Sequence, residues 1–262
     1  MVGGEWLKIR RVVLLLVVIL FIWLMLPYNI LILGSDARTE DVKRSRTDGI
    51  VLVKVIPLLF TIKMVSIPRD SYVSIYGKDK YDKITHAFAF GGKECSIKTV
   101  ENFLDTRVNY SVVFRFEDIV NITDILDGVD IVSNHTFVQD GWSFKKDQKY
   151  TVKGDSALAY ARHRKSDSDF KREERQRQLM KSIIFKLISP SGVKKIPNVF
   201  SYAYNNMQIS YNPLKILPSF LGLLNIQQYE IKGESTRKNG IYYFVPNEDS
   251  VNDIKGKFKI MI

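Results

Sequence analysis

"GIVLVKVIPLLFTIKMVSIPRD" runs from Gly49 to Asp70. It holds two runs of apolar and β-branched residues, Gly49 to Ile56 and Phe60 to Ile67, separated around Pro57. Proline has no N–H to give a sheet ladder, so the two runs read as neighbouring strands joined by a short connection. Past the second run, Pro68 fixes a turn and sets Arg69 and Asp70 just beyond a strand end. Outward from this pair, "NILILGSD" reads as a strand entering a loop. "SIKTVENFLD" places Ile97, Val100, Phe103 and Leu104 at helical spacing. "YSVVFRF" and "GVDIVS" read as strands with the helix "EDIVNITDIL" between them, and "GDSALAYAR" as a further helix. After Pro190 the pattern predicts one more helix, around Leu214 to Leu224, and a strand, "GIYYFVP". Strands and helices alternate, which predicts an α/β domain with a mixed central β-sheet covered by helices on both faces.

The chain has 262 residues, 45% of them hydrophobic, enough for one domain with a sizeable core. Its net charge of +11 points to an anionic partner: phosphates, nucleic acid or a membrane surface. The single cysteine, Cys95, excludes an internal disulfide and a cysteine-based zinc site, and reads as a packed side chain beside a helix start. His86, His135 and His163 are scattered without metal-ligand spacing.

At the N-terminus, Val12 to Leu26 is uninterrupted apolar sequence preceded by Lys8, Arg10 and Arg11. Counting Trp6, Leu7 and Ile9, with the basic side chains snorkelling, brings the segment within reach of a membrane span. Its basic flank predicts a short cytoplasmic N-terminus (residues 1–11), a retained single-pass transmembrane anchor (12–27) and an extracellular domain (28–262) in the cell membrane. No small-x-small cleavage site follows the run.

The segment "ARHRKSDSDFKREERQRQLMKSIIFKL" (Ala161–Leu187) carries eight basic and four acidic residues between Arg162 and Lys181. A helix beginning near Phe170, with Ser168 or Asp169 as N-cap, puts Gln176, Leu179, Met180, Ile183 and Leu187 on one stripe. Arg172 extends that stripe towards the helix N-terminus and Arg175 sits on its border, while Arg177 and Lys181 point away. An inward arginine at a helix N-terminus favours an anion. Two more polar clusters lie at strand ends: Asp36 with Arg46 and Asp48, and Arg69 with Asp70. Ligands of open α/β sheets bind beyond the strand ends. Two carboxylates and several guanidiniums there suit a divalent metal, Mg²⁺, with a phosphorylated substrate.

In order along the chain, "GSDAR", "RTD", "VSIPRDSYV", "DKITHAFAFGG", "GVDI", "GDSALAYARHR" and "DFKREERQ" closely resemble the LytR-CpsA-Psr family, from Ile30 to the C-terminus. The resemblance implies a helix-covered mixed sheet enclosing a hydrophobic lipid tunnel. It implies a phosphotransferase that moves a glycopolymer of teichoic acid or capsule type from undecaprenyl-pyrophosphate to peptidoglycan, at the C6-OH of N-acetylmuramic acid, releasing undecaprenyl phosphate. Carried over, Asp36 and Asp48 lie near Mg²⁺ and the pyrophosphate, one of them serving as base, and Arg69 acts catalytically. Arg46, Arg69, Lys83, Arg162, Arg164, Arg172, Arg175 and Gln176 bind the pyrophosphate. The implied partners are the lipid-linked polymer, peptidoglycan and the membrane, with no nucleic acid and no obligate protein partner. This chain departs from the family's usual residues at Ser45, Gly49, Thr85-His86 and Asp127-Gly128, none of which removes a charged ligand. The alternative is a membrane-associated transcriptional attenuator of cell-envelope genes, suggested by the positive charge and an older label of the family.

Overall fold

The computed structural model describes residues 2–35, 46–163, 169–215 and 225–260. A helix, α1 (Val2–Met25), leads into β1 (Tyr28–Ser35), β2 (Thr47–Ile56) and β3 (Thr61–Ser66). The quoted stretch thus forms β2 and β3, paired antiparallel with Val53 opposite Met64, and a short 3₁₀ turn, Pro57–Leu59, lies between them. A small ribbon of β4 (Tyr72–Ser74) and β5 (Tyr81–Lys83) precedes α2 (His86–Leu104), β6 (Tyr110–Arg115) and α3 (Phe116–Ile125). Two further small pairings, β7 (Val129–Val132) with β10 (Lys149–Val152) and β8 (Phe137–Gln139) with β9 (Trp142–Phe144), come before α4 (Gly154–Arg162) and α5 (Asp169–Ile188). After α6 (Pro190–Val193) and α7 (Ile196–Asn206) come β11 (Gln208–Ser210), β12 (Asn225–Glu230), the hairpin of β13 (Gly233–Lys238) and β14 (Ile241–Pro246), and a C-terminal helix, Glu248–Phe258.

The main sheet has six strands in the order β11-β6-β1-β2-β3-β12. The β1–β6 and β3–β12 pairs are parallel and the other neighbours antiparallel, so the expected mixed sheet is present. Period-two alternation sorts its side chains. Leu31, Leu33, Ile50, Leu52 and Val65 pack one face against Phe88, Val100 and Leu104 of α2 and Val251, Ile254 and Phe258 of the C-terminal helix. Ile30, Ile32, Val53 and Val55 point to the other face, towards α3, α5 and α7. Helices therefore cover both faces, as expected.

Several elements correct the sequence reading. The helix expected from Ser96 begins ten residues earlier, at His86, because Gly91 and Gly92 kink it without ending it. Gly92 takes φ +62°, a conformation that glycine adopts at little cost. Around Leu214 only the turn Pro213–Lys215 is described, and the remainder of the expected helix lies outside the described residues. Among the described residues no helix is long and apolar enough to cross a membrane. The apolar run of α1 spans about 22 Å at ~1.5 Å per residue, short of a hydrocarbon core of roughly 30 Å. Extending it N-terminally takes in Arg11, Arg10 and Lys8.

Two buried phenols mark the helical side. Tyr160, wholly buried among Phe137 and Phe144, donates its hydroxyl to Gln178 Oε1 at 2.6 Å. Tyr202 on α7 donates to Asp118 Oδ1 of α3 at 2.9 Å. Burial pushes Tyr160 up to about 12, and burial together with the Asp118 carboxylate pushes Tyr202 up to about 12. Both phenols fold neutral, so their contribution to stability is full below the unfolded pKa of about 10 and is lost as pH rises to about 12. The urea midpoint is expected to fall between pH 10 and 12, and to fall less in Tyr202→Phe than in the wild type. Identical pH profiles for the two proteins would contradict the assignment.

Candidate active site

The site begins with the ends of β2 and β3. Thr47 pairs with Ser35 at the end of β1, next to a register shift after Gly34, and Asp48 follows on β2. After β3, Pro68 starts a turn closed by Ser71 N–H donating to Pro68 O at 3.0 Å. Thr85 pins that turn to β2: its hydroxyl donates to Thr47 O at 2.9 Å and its N–H to Arg69 O at 3.1 Å. The turn thereby delivers Arg69 to Asp48, with Nη1 donating to Oδ1 at 2.7 Å.

From there the charges form a chain. Arg69 Nε lies 3.5 Å from Asp70 Oδ2, and Lys83 Nζ 2.6 Å from Asp70 Oδ1. On the other side, Arg172 in the first turns of α5 places Nη2 3.8 Å from Asp48 Oδ2. Both members of that contact are largely shielded, Arg172 at 6% and Asp48 at 9% side-chain exposure. Among the described residues, three cations and two carboxylates are gathered in this partly buried crevice. Burying such groups is favourable only with good pairing, since an uncompensated buried charge costs about 3–5 kcal/mol. Guanidinium forks such as those of Arg69 and Arg172 match the oxygens of a phosphate group.

The chain of charges meets a wholly different surface at Gly49. A Cβ at Gly49 would lie 3.1 Å from Met180 Sδ, so β2 and α5 approach closely there. Met180 lines an apolar cavity of about 360 Å³ that lies between the sheet and α3, α5 and α7. Ile30, Ile32, Val53 and Val55 form the sheet wall, and Ile183, Leu187 and Val199 belong to the helical wall. Tyr211 supplies the lone hydroxyl among the described lining residues. One helix, α5, therefore carries Arg172 at the polar end and Met180, Ile183 and Leu187 along the apolar space.

Of the residues expected at the site, Asp48, Arg69, Lys83 and Arg172 come together. Arg46 is exposed directly before β2. Asp36 and Arg164 lie outside the described residues. Arg162 is exposed on the last turn of α4 and, among the described residues, makes no contact with the Asp48 group. Arg175 and Gln176, expected as pyrophosphate ligands, are placed otherwise. Arg175 is fully buried, donating from Nε to Tyr160 O at 3.2 Å and from Nη2 to His163 O at 2.8 Å, and its guanidinium lies 5.0 Å from the Phe137 ring. Gln176 Nε2 donates to Ala161 O at 3.3 Å. The last carbonyls of α4 have no intrahelical partner, and these two side chains satisfy them. Their role here is to fasten the end of α4 to α5. Asp70, read from sequence with Arg69 as a polar cluster at a strand end, is the link between Arg69 and Lys83.

Among the described residues no three His, Cys, Asp or Glu side chains gather as a metal site. Asp48 still fits a Mg²⁺ that takes most of its oxygens from a phosphorylated substrate, because among the described residues its Oδ2 meets only a guanidinium 3.8 Å away.

The LytR_cpsA_psr family matches residues 25–260. The chain belongs to the LytR-CpsA-Psr family. It is 40% identical over 239 residues to the polyisoprenyl-teichoic acid–peptidoglycan teichoic acid transferase TagU of Bacillus subtilis (strain 168), covering 89% of this chain and 77% of that one. The crystal structure of B. subtilis TagV superposes with a TM-score of 0.76 at 29% identity, over 89% of this chain and 96% of that one. A structure of TagT bound to LIIa-WTA aligns at a TM-score of 0.69 and 32% identity, over 88% and 89% of the two chains. The mixed sheet between helical layers is thus the LytR-CpsA-Psr fold.

Proposed function

We propose that the chain transfers a teichoic-acid-type glycopolymer from undecaprenyl-pyrophosphate to a peptidoglycan hydroxyl, the C6-OH of N-acetylmuramic acid. The observation that carries this reading is the meeting of the Asp48–Arg69–Arg172 cluster with the apolar cavity across Gly49 and Met180. A lipid diphosphate has that same division, a charged head joined directly to a long hydrocarbon. The TagU and TagT relatives, with their named polymer, support it.

In the reaction the acceptor oxygen bonds to the sugar-proximal phosphorus, and the bond from that phosphorus to the bridging oxygen breaks. Undecaprenyl phosphate leaves. Arg69 and Arg172 hold the diphosphate in position and offset charge growing on the leaving oxygen, which is most of what phosphoryl transfer requires. Mg²⁺, held by Asp48 with Asp36 as the second expected carboxylate, would supply further neutralisation of the phosphate oxygens. Whichever of the two carboxylates is less engaged takes the hydroxyl proton. Lys83, paired with Asp70, stands at the end of the charge chain away from the apolar cavity. The setting is the outer face of the cell membrane, where both substrates meet, and the exposed apolar surface of α1 from Val12 to Ile22 supports contact with lipid.

The test is direct. Full-length chain in detergent, given undecaprenyl-pyrophosphate-linked teichoic acid and peptidoglycan, is expected to attach polymer covalently. EDTA is expected to suppress attachment at least about a hundredfold, with recovery on adding Mg²⁺. No attachment would overturn the transferase reading, and full activity in EDTA would remove the metal from it.

A further inference from the structure

At the end of the charge chain away from the cavity stands a group of tyrosines that the reaction above leaves unused. Lys83 Nζ, 2.6 Å from Asp70, lies 5.6 Å from the centre of the Tyr243 ring and 5.9 Å from that of Tyr242. Tyr243 packs edge-on against Tyr72 at 5.0 Å, and Tyr72 against Tyr81 at 5.5 Å. Lys238 Nζ sits 3.8 Å from the centre of Tyr72. The rings come from two ribbons, β4–β5 and β13–β14, that would otherwise be independent. They are locked to the site itself: Phe244 N–H donates to Asp70 O at 2.9 Å, and Ser71 bridges to Phe244. Large aromatic side chains normally bury most of their area, yet Tyr81 is 61% and Tyr242 42% exposed.

We infer that Tyr72, Tyr81, Tyr242 and Tyr243, with Lys83 and Lys238, form the docking platform for the acceptor glycan strand of peptidoglycan; the inference rests on the transferase reading above. Three features select this occupant. Pyranose rings present flat faces of polarised C–H groups, which suit the electron-rich faces of tyrosines, while phenol hydroxyls bond the ring's hydroxyls. Exposed Lys238 supplies positive charge for the carboxylates of the stem peptides carried by muramic acid. Position decides between donor and acceptor. Attacking and leaving oxygens lie roughly in line across the transferred phosphorus. With the lipid leaving into the cavity beside Met180, the nucleophile must approach from the other end, where the platform stands.

The test separates platform from chemistry. Full-length chain in detergent is mixed with purified peptidoglycan sacculi stripped of teichoic acid, without donor, and the bound fraction is measured after sedimentation. The Tyr81→Ala/Tyr242→Ala variant, altered at two exposed positions, is expected to bind about tenfold more weakly, and Tyr81→Phe/Tyr242→Phe, which keeps the ring faces, to stay within about twofold of wild type. In the transfer assay the alanine variant is expected to raise KM for peptidoglycan about tenfold and leave KM for the lipid-linked donor unchanged. Wild-type sedimentation of the alanine variant, equal loss in the phenylalanine variant, or a rise in donor KM in place of acceptor KM would each overturn the platform. The sedimentation arm reads the platform even if wild-type transfer were absent, a result that would strike the transferase reading alone.

Discussion

Asparagine in place of Asp48 is expected to lower transfer at least about a thousandfold, while affinity for the lipid diphosphate rises several-fold. The two effects have opposite signs because Asp48 has two relations to its surroundings. Its carboxylate lies 2.7 Å from Arg69 and 3.8 Å from Arg172, so in the substrate-free protein it neutralises the groups meant for phosphate. Removing its charge leaves two guanidiniums with less internal compensation and a stronger attraction for an anion. At an effective dielectric of about 20, unit charges some 4 Å apart interact by about 4 kcal/mol, ample for a several-fold change after solvation losses. The same removal takes away the described carboxylate that can hold the cation or accept the hydroxyl proton. Some stability is lost as well, roughly 1–3 kcal/mol, because the charge-assisted bond from Arg69 becomes a neutral one. Single-turnover transfer and equilibrium binding of undecaprenyl pyrophosphate, measured at a temperature where both proteins are folded, check the two arms. A merely structural Asp48 would weaken binding and transfer together, and that outcome would remove it from the chemistry.

The part of this arrangement that sequence displayed was the part written in local pattern. β2 and β3 were legible from branched residues around Pro57, and the start of α5, to within one residue, from Ser168 or Asp169 ahead of an apolar stripe. The inward position of Arg172 followed from helical periodicity, and it is 5% exposed. The same periodicity put Arg175 at the border of the stripe but could not show what it meets. Its partners, the carbonyls of Tyr160 and His163, belong to another helix end, and pairing of that kind is set by tertiary packing. Asp70 was likewise legible beside Arg69, but not its pairing with Lys83, which β5 brings to it. Two signals in the C-terminal third were present and unread. Asn239-Gly240, at φ +51° and +78°, is the turn that joins β13 to β14, and an Asn-Gly pair is a strong hairpin signal. Asn247, with Glu248 and Asp249 after it and Lys255 and Lys257 in the last turn, marks the C-terminal helix by its caps and charges. The cavity had no local signature at all, since its lining comes from strands and helices far apart in the chain, each of which looks like ordinary core.

That cavity carries the second large effect. Phenylalanine in place of Ala203 is expected to lower kcat/KM for the undecaprenyl-linked donor at least about a hundredfold, with a melting temperature equal to or above wild type. Ala203 lies on α7, 8% exposed, in the wall of the 360 Å³ space. In a close-packed core an added ring would force neighbours aside at a cost of about 1–3 kcal/mol. Here it projects into space lined by Ile183, Leu187 and Val199, and gains about 25 cal/mol for each Å² of apolar surface it covers. Loss of function and gain of stability from one substitution is the signature of a filled ligand channel and not of a damaged core. Recognition within an aliphatic wall depends on length and volume, so the defect should follow the carrier. A donor on a two-isoprene diphosphate, which places far less hydrocarbon in that space, is expected to lose much less from the substitution, because Asp48, Arg69 and Arg172 are untouched. Parallel losses for long and short carriers would show that the substitution had disturbed the charged cluster. Undiminished use of the undecaprenyl donor would show that the hydrocarbon lies elsewhere, along the exposed apolar surface of α1 and not beneath the sheet.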